Sequence, residues 1–359
     1  MVKSWEEVVV ISEVIRLSHG SGGTETREIL ERLIFSKIDP KLKRISGGIG
    51  IDWLDDGALI PLHDGRYLVV TVDSYTVNPI FFPGGNIGSL AASGTLNDVL
   101  MMGGKPIALL DSIVVEEGFP VEDLQTIVDS FISIIRSEGV ALIGGDFKVM
   151  PKGQVDKIVI TTTGIGISDK PIVDKPKAGD KIIVSDYIGD HGAVIMMLQL
   201  GLEKRIEELS KGALKSDVKP LSRLMIPLIE KYGDYIHAAR DPTRGGLSGV
   251  LSEWVASSDI VIVVNEDAIP IREAVARYCE MLGVDPLYLA SEGVAVLSID
   301  SHVADEVVNY MKSLGYANAK IIGEVKTSEK YRNYVIMKTA IGGFRILEPP
   351  HGELVPRIC

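Results

Sequence analysis

Acidic side chains recur beside residues too small to obstruct a ligand: Asp55-Asp56 in a polar stretch, Asp73 closing an apolar run, Asn97-Asp98 among small residues, and Asp146 after Gly144-Gly145. Carboxylate oxygens are hard donors, suited to a divalent cation that bridges a triphosphate. A single acid at a strand end is ordinarily a turn residue or a cap. The fourfold recurrence is what favours a nucleotide site. His19-Gly20-Ser21-Gly22-Gly23 precedes a helical pattern and would aim backbone N–H groups at a phosphate, although clustered glycines also make plain tight turns. Asp241-Pro242-Thr243-Arg244-Gly245-Gly246 has the same form, with a capping turn as the competing account.

Other residues bear on acid-base or thiol chemistry. Glu292 stands in Ser291-Glu292-Gly293 before an apolar strand, and Lys148 lies two residues after Asp146. They form an acid/base pair only if their elements face each other. His191, in Gly189-Asp190-His191-Gly192, opens a helix, as a surface residue or a catalytic one. Of the two cysteines, Cys279 sits in a helical pattern and reads as a packed small hydrophobe. Cys359 ends the segment EPPHGELVPRIC, whose prolines and lack of periodicity predict an extended, mobile tail. Such a thiol is either an exposed carrier of a chemical group or an incidental terminus; spacing leaves both open.

The elements that must position these groups alternate between strand and helix. The first half predicts helices over 25–35, 84–102 and 121–137 and extended segments over 66–73, 106–115, 140–143 and 157–167. Pro, Lys and Asp concentrate in 168–180, which marks a domain boundary. Beyond it, strands at 181–185, 260–264, 294–299 and near 321 and 335 alternate with helices at 192–200, 221–231, 246–255, 271–282 and 304–314. The expectation is a two-domain α/β (α+β) protein. Residues 1–14 form an extension without a motif, 15–170 the first domain, 178–347 the second and 348–359 the tail.

At 359 residues the chain exceeds what one core usually supports. A net charge of −12, with no basic block interleaved with aromatics, argues against extended nucleic-acid binding. No apolar run approaches membrane-spanning length, and 1–16 mixes acids into its apolar residues unlike a secretory signal, so a cytoplasmic location is expected. No CxxC or Cys/His cluster indicates zinc or a disulfide framework.

Taken together, HGSGG (19–23), DDGA (55–58), TVDSYTVNP (71–79), FFPGGNIG (81–88), GTLNDV (94–99), GGDFKV (144–149), GDHG (189–192), DPTRGG (241–246), SEG (291–293) and the terminal PRIC resemble the HypE family of hydrogenase maturation proteins. These carbamoyl dehydratases belong with aminoimidazole ribonucleotide synthetase, selenophosphate synthetase and thiamine monophosphate kinase. The resemblance implies a homodimer whose N-terminal sheets form a barrel across the interface, an ATP and Mg²⁺ site beside it, and a C-terminal α/β layer domain closing over the nucleotide. It implies that a carbamoyltransferase, HypF, loads Cys359, that ATP-dependent dehydration turns the S-carbamoyl group into a thiocyanate, and that a HypC–HypD scaffold receives the cyanide for the iron centre of a [NiFe] hydrogenase. An amide oxygen leaves poorly. Phosphorylation would make it a phosphate, and loss of an N–H proton would complete the C≡N bond.

Carried over by motif, Asp56, Asp73 and Asp98 would hold metal and triphosphate, with Asp146 and Asp241 also at the nucleotide. Gly20, Gly22 and Gly23 would line phosphate and Asn97 would orient it. Glu292 would accept a proton, Lys148 would stabilise developing charge or assist deprotonation, and His191 is a further catalytic candidate. No cysteine precedes Cys279, unlike the reactive residue near the N-terminus of selenophosphate synthetases. The alternative is a kinase or synthetase acting on a free metabolite, for which Cys359 would be dispensable. A third reading is a nucleotide-sensing scaffold with a docking tail.

Overall fold

The computed structural model describes residues 14–202, 204, 214–256 and 258–352; Cys359, with the rest of 353–359, and residues 1–13 lie outside it. The first half forms β1 (Ala58–Pro61), β2 (Tyr67–Tyr75), a short hairpin of β3 (Phe81–Phe82) and β4 (Gly85–Asn86), β5 (Lys105–Glu116), β6 (Ala141–Met150) and β7 (Ile158–Ser168). Five of these make one sheet in the order β1-β2-β7-β5-β6, antiparallel except for the parallel β5–β6 pair. Helix α1 (Thr24–Leu33) precedes the sheet, α2 (Ile87–Met101) lies on it, and α3 (Val121–Glu138) makes the crossover from β5 to β6.

α2 is buried on nearly all sides, and its small residues explain how. A Cβ on Gly88 would collide with the Ile127 carbonyl of α3, so the glycine sets the helix-to-helix approach. Gly164 and Gly166 on β7 face Thr95 and Val99 of the same helix. The Asn86 side chain accepts from the Gly88 and Ser89 N–H groups and starts α2 at a fixed point.

The second half builds β8 (Lys181–Val184), β9 (Ile236–Arg240), β10 (Ile260–Asn265), β11 (Val296–Ile299), β12 (Lys320–Thr327), β13 (Val335–Lys338) and β14 (Phe344–Leu347), in the order β14-β13-β10-β12-β8-β11-β9. Helices α4 (Asp190–Gln199), α5 (Ser222–Tyr232), α6 (Gly246–Ala256), α7 (Glu273–Leu282) and α8 (Ala304–Ser313) cover it. This is the expected two-domain α/β architecture. The halves share a core, for Tyr75, Leu90 and Ile127 pack in one cluster with Ala193, Met197 and Tyr278. Cys279 packs there too, its thiol pushed up to about 12 by burial.

Two expectations needed correction. The extended segment expected over 140–143 instead runs on through Gly144-Gly145 to Met150 as one strand. A Cβ on Gly145 would run into the Asp111 carboxylate on β5, so that glycine serves a close cross-strand approach. Asp73 does not end its strand either, because β2 continues through Tyr75. Within the chain the N-terminal sheet is open at β6, whose Leu142, Ile143, Phe147 and Val149 are all exposed. No described helix is long and apolar enough to cross a membrane.

Candidate active site

Four separate elements deliver the acids. Asp56 lies just before β1, Asp98 in the last turn of α2, Asp241 directly after β9, and Asp73 on β2. One carboxylate oxygen from each of Asp56, Asp98 and Asp241 falls within 4.8 Å of the others. The Thr71 hydroxyl joins two of the elements, 2.9 Å from Asp98 Oδ2 and 2.8 Å from the Asp56 carbonyl oxygen. Asp73 stands at the edge of this group, its Oδ1 3.7 Å from Arg244 Nη2. Of the acids expected at a metal, the structure groups Asp56 and Asp98 with Asp241 and sets Asp73 beside Arg244.

Burial makes this cluster electrostatically expensive. It drives Asp56 and Asp98 well above the usual carboxylate range, with Asp241 repelling both, and raises Asp241 to about 7. Asp56 Oδ2 and Asp241 Oδ2 have no hydrogen-bond partner among the described residues. Buried carboxylate oxygens are hard donors, and with two of them lacking partners among the described residues these three side chains fit Mg²⁺. Arg244 and Arg240 partly offset the repulsion, and motif reading did not single out Arg240. Its Nη1 is 3.0 Å from Asp56 Oδ1, its Nε is 2.6 Å from Asp174 Oδ2, and its Nη2 donates to the Leu54 carbonyl at 2.8 Å. Asp174, inside the Pro/Lys/Asp-rich segment between the sheets, also accepts from the Ala239 N–H at 3.0 Å and from Trp254 Nε1 at 2.7 Å. A lone arginine closing an apolar strand next to DPTRGG was the available sign of Arg240. Nothing in the spacing marked Asp174.

Glu292 is 1% exposed, and burial followed by repulsion from Asp241 raises its carboxyl well above the ordinary value. Its Oε1 has no partner among the described residues. The backbone beneath it is held on both sides. Asp217 accepts from the Glu292 and Gly293 N–H groups at 3.2 Å each, and Asn97 Nδ2 donates to the Glu292 carbonyl at 3.4 Å. Asn97 also donates to the Lys219 carbonyl at 3.2 Å and accepts from the Leu221 N–H at 2.8 Å. Its carboxamide is thus committed to the backbone of the second domain. In this arrangement Asn97 fastens α2 to the strand entry that carries Glu292. Asp217, unmarked by any motif, has its own carboxyl raised to about 6 by burial.

His191 is fully buried and neutral, burial lowering it to about 3. Its Nδ1 lies 2.7 Å from Ser216 Oγ, its ring packs edge-on against Phe82, and Nε2 lacks a partner among the described residues. Its neighbour Asp190 pairs with Arg272 Nε at 2.6 Å.

The remaining expected residues lie elsewhere. Asp146 and Lys148 sit on the exposed strand β6 and pair with each other at 3.2 Å, away from the acids of their own chain. A Cβ on Gly22 would lie 2.7 Å from Arg244 Cβ, and one on Gly23 would collide with the Pro350 carbonyl, while Gly20 faces open space. Two of the three glycines thus pack closely against other parts of the protein. Cys359 lies outside the described residues.

Two family models match the chain, the N-terminal domain of AIR synthase related proteins over residues 54–168 and the C-terminal domain over 177–336. A hydrogenase expression/formation protein of Methanocaldococcus jannaschii is 42% identical over 95% of this chain and 98% of its own. Carbamoyl dehydratase HypE of Rhizobium leguminosarum is 38% identical over 100% of this chain and 99% of its own. Among solved structures, a HypE–HypF complex matches with TM-score 0.80 and 38% identity, covering 90% of this chain and 99% of that one. HypE in complex with ATP matches with TM-score 0.77 and 37% identity, covering 96% and 100%.

Proposed function

This chain belongs to the HypE family of carbamoyl dehydratases, ATP-dependent enzymes of hydrogenase maturation, and we propose that its substrate is an S-carbamoyl group on its own Cys359, dehydrated to a thiocyanate. One observation carries the reading. The clustered buried acids Asp56, Asp98 and Asp241 share their electrostatic field with a buried Glu292 whose Oε1 has no partner among the described residues.

Asp56, Asp98 and Asp241 would hold Mg²⁺ and through it the triphosphate, with Asp73 and Arg244 beside them. MgATP would supply the phosphoryl group that makes the carbamoyl oxygen a leaving group. Glu292, set by the Asp217 and Asn97 contacts, takes the nitrogen-bound proton, and its raised pKa reflects a desolvated and therefore strong base. The balance is closed: S-carbamoyl plus ATP gives S–C≡N, ADP, phosphate and a proton. Desolvation by the shared core keeps water from the thiocyanate.

The partners follow from the same reading. A HypE relative is known in complex with HypF, which supports HypF as the enzyme that loads Cys359; the HypC–HypD scaffold is the proposed acceptor of the cyanide. The exposed apolar residues of β6 support a homodimer joined through the N-terminal sheets, since an uncovered hydrophobic edge strand invites pairing. In such a dimer Lys148, exposed on that strand, would act in the site of the neighbouring subunit. The decisive measurement is intact mass: carbamoylated protein given MgATP should lose one water. An unchanged mass under conditions where ATP is bound would sink the proposal.

A further inference from the structure

The glycine-rich loop at 19–23 has a neighbour that its sequence does not announce. Residues 348–352, the root of the tail, run across it and are held at four points. The Ser248 hydroxyl donates to the Glu348 carbonyl at 2.7 Å and the Tyr288 hydroxyl to the same oxygen at 2.9 Å. The Thr24 N–H, in the first turn of α1, points to the Pro350 carbonyl at 3.5 Å, and the Gly352 N–H donates to Glu25 Oε1 at 2.9 Å. Pro350 is wedged between two glycines: a Cβ on Gly23 would collide with its carbonyl, and one on Gly245 would lie 2.7 Å from its Cγ. Glu25 Oε2 is buried with no partner among the described residues.

We propose that the HGSGG loop and the start of α1, together with Ser248, Tyr288 and Gly245, form a clasp for the root of the tail, and that these are positioning residues which aim Cys359 at the acidic site. The inference rests on the reading of Cys359 as substrate carrier. Its geometry is that of a tether fixed close to its target. Arg244 packs under Gly22 with its stem and reaches Asp73 with its guanidinium, so the clasp stands one arginine length from the acids. Seven residues, 353–359, follow the clasp, and at ~3.5 Å each they reach at most about 25 Å. That is ample for the interdomain site. Without the clasp the free tether begins after Leu347 and has twelve residues. Lengthening alone lowers the effective concentration about twofold, and loss of direction adds to it.

Gly23→Ala tests this, because φ at Gly23 is −105°, a conformation alanine adopts freely, so the new methyl acts by evicting Pro350. In the full-length, carbamoylated protein, single-turnover water loss with saturating MgATP should slow by roughly tenfold. In the uncarbamoylated protein, labelling of Cys359 by a bulky maleimide should quicken several-fold, with buried Cys279 as internal control, and ATP affinity should stay within about twofold. The double variant S248A/Y288F, which removes only two hydroxyls, should act in the same direction if Gly23→Ala folds poorly. Weakened ATP binding with unchanged Cys359 labelling would support the phosphate-lining role of the loop and overturn the clasp. Unchanged dehydration and labelling in both variants would overturn it as well. Absence of water loss in the unsubstituted protein would instead defeat the substrate reading, while the labelling comparison still decides the clasp.

Discussion

The interdomain acids and strand β6 use the same residue types to opposite ends. Asp56, Asp98, Asp241 and Glu292 are drawn from both domains into a space where burial raises each carboxyl and leaves oxygens without partners. Asp146 and Lys148 sit in solvent and neutralise each other across one strand face. A carboxylate in water needs nothing more; a buried cluster needs a cation or a proton. Under the proposed function the first region would be completed by a ligand, and the second, with its apolar neighbours exposed, by a protein surface.

The contrast can be broken most forcefully at Asp98. Asp98→Asn should cut dehydration by about a thousandfold or more while raising the melting temperature of the metal-free protein, because it removes one ionisable member of a mutually repelling buried cluster. Mass spectrometry and a thermal melt read the two effects, and a variant that lost activity without gaining metal-free stability would contradict the account of the cluster.

The edge strand comes next. Lys148→Ala should lower dehydration by roughly a hundredfold with little change in stability, since an exposed ion pair contributes under ~1 kcal/mol. Mixing Lys148→Ala chains with Asp98→Asn chains should restore roughly a quarter of normal turnover, because half of the dimers would then carry one intact site. No regained activity after verified subunit exchange would show that Lys148 serves no neighbouring site.

Asp217 sharpens the comparison within the buried region. Asp217→Asn leaves one of two backbone N–H groups without its acceptor, so the turnover rate should fall about tenfold while the KM for ATP holds. An equal loss in both parameters would point to general damage. The smallest effect is on stability. Asp55 and Asp241 have folded pKa values near 7, above their unfolded value of 3.8, so the folded state binds more protons between these limits. Stability of metal-free protein should therefore fall as pH rises from about 4 to 7, by a few degrees in melting temperature, and Mg²⁺ should flatten that slope. A melt that rises with pH across the window would refute the sign.

Much of the fold was legible because its signals are local. The alternation of Ile158–Ser168 and the helical spacing of Val121–Glu138 report burial one residue at a time, and both elements stand where the periodicity places them. Gly144-Gly145 misled for the opposite reason: their glycine character answers Asp111, a residue on another strand. Gly23 and Asn97 likewise have neighbours, Pro350 and Glu292, that are hundreds of residues away.

By itself, then, the sequence determined the two-domain α/β class, the acidic motifs that carry Asp56, Asp98 and Asp241, and the family to which the motifs point. Those are properties of residue type and short-range order. Tertiary structure alone decided that Arg240 shields Asp56, that Asp217 and Asn97 set Glu292, that Lys148 faces away from its own site, and that the glycine loop grips the tail. Each of these is a contact between distant segments, and its energy depends on burial and distance, which no local spacing encodes.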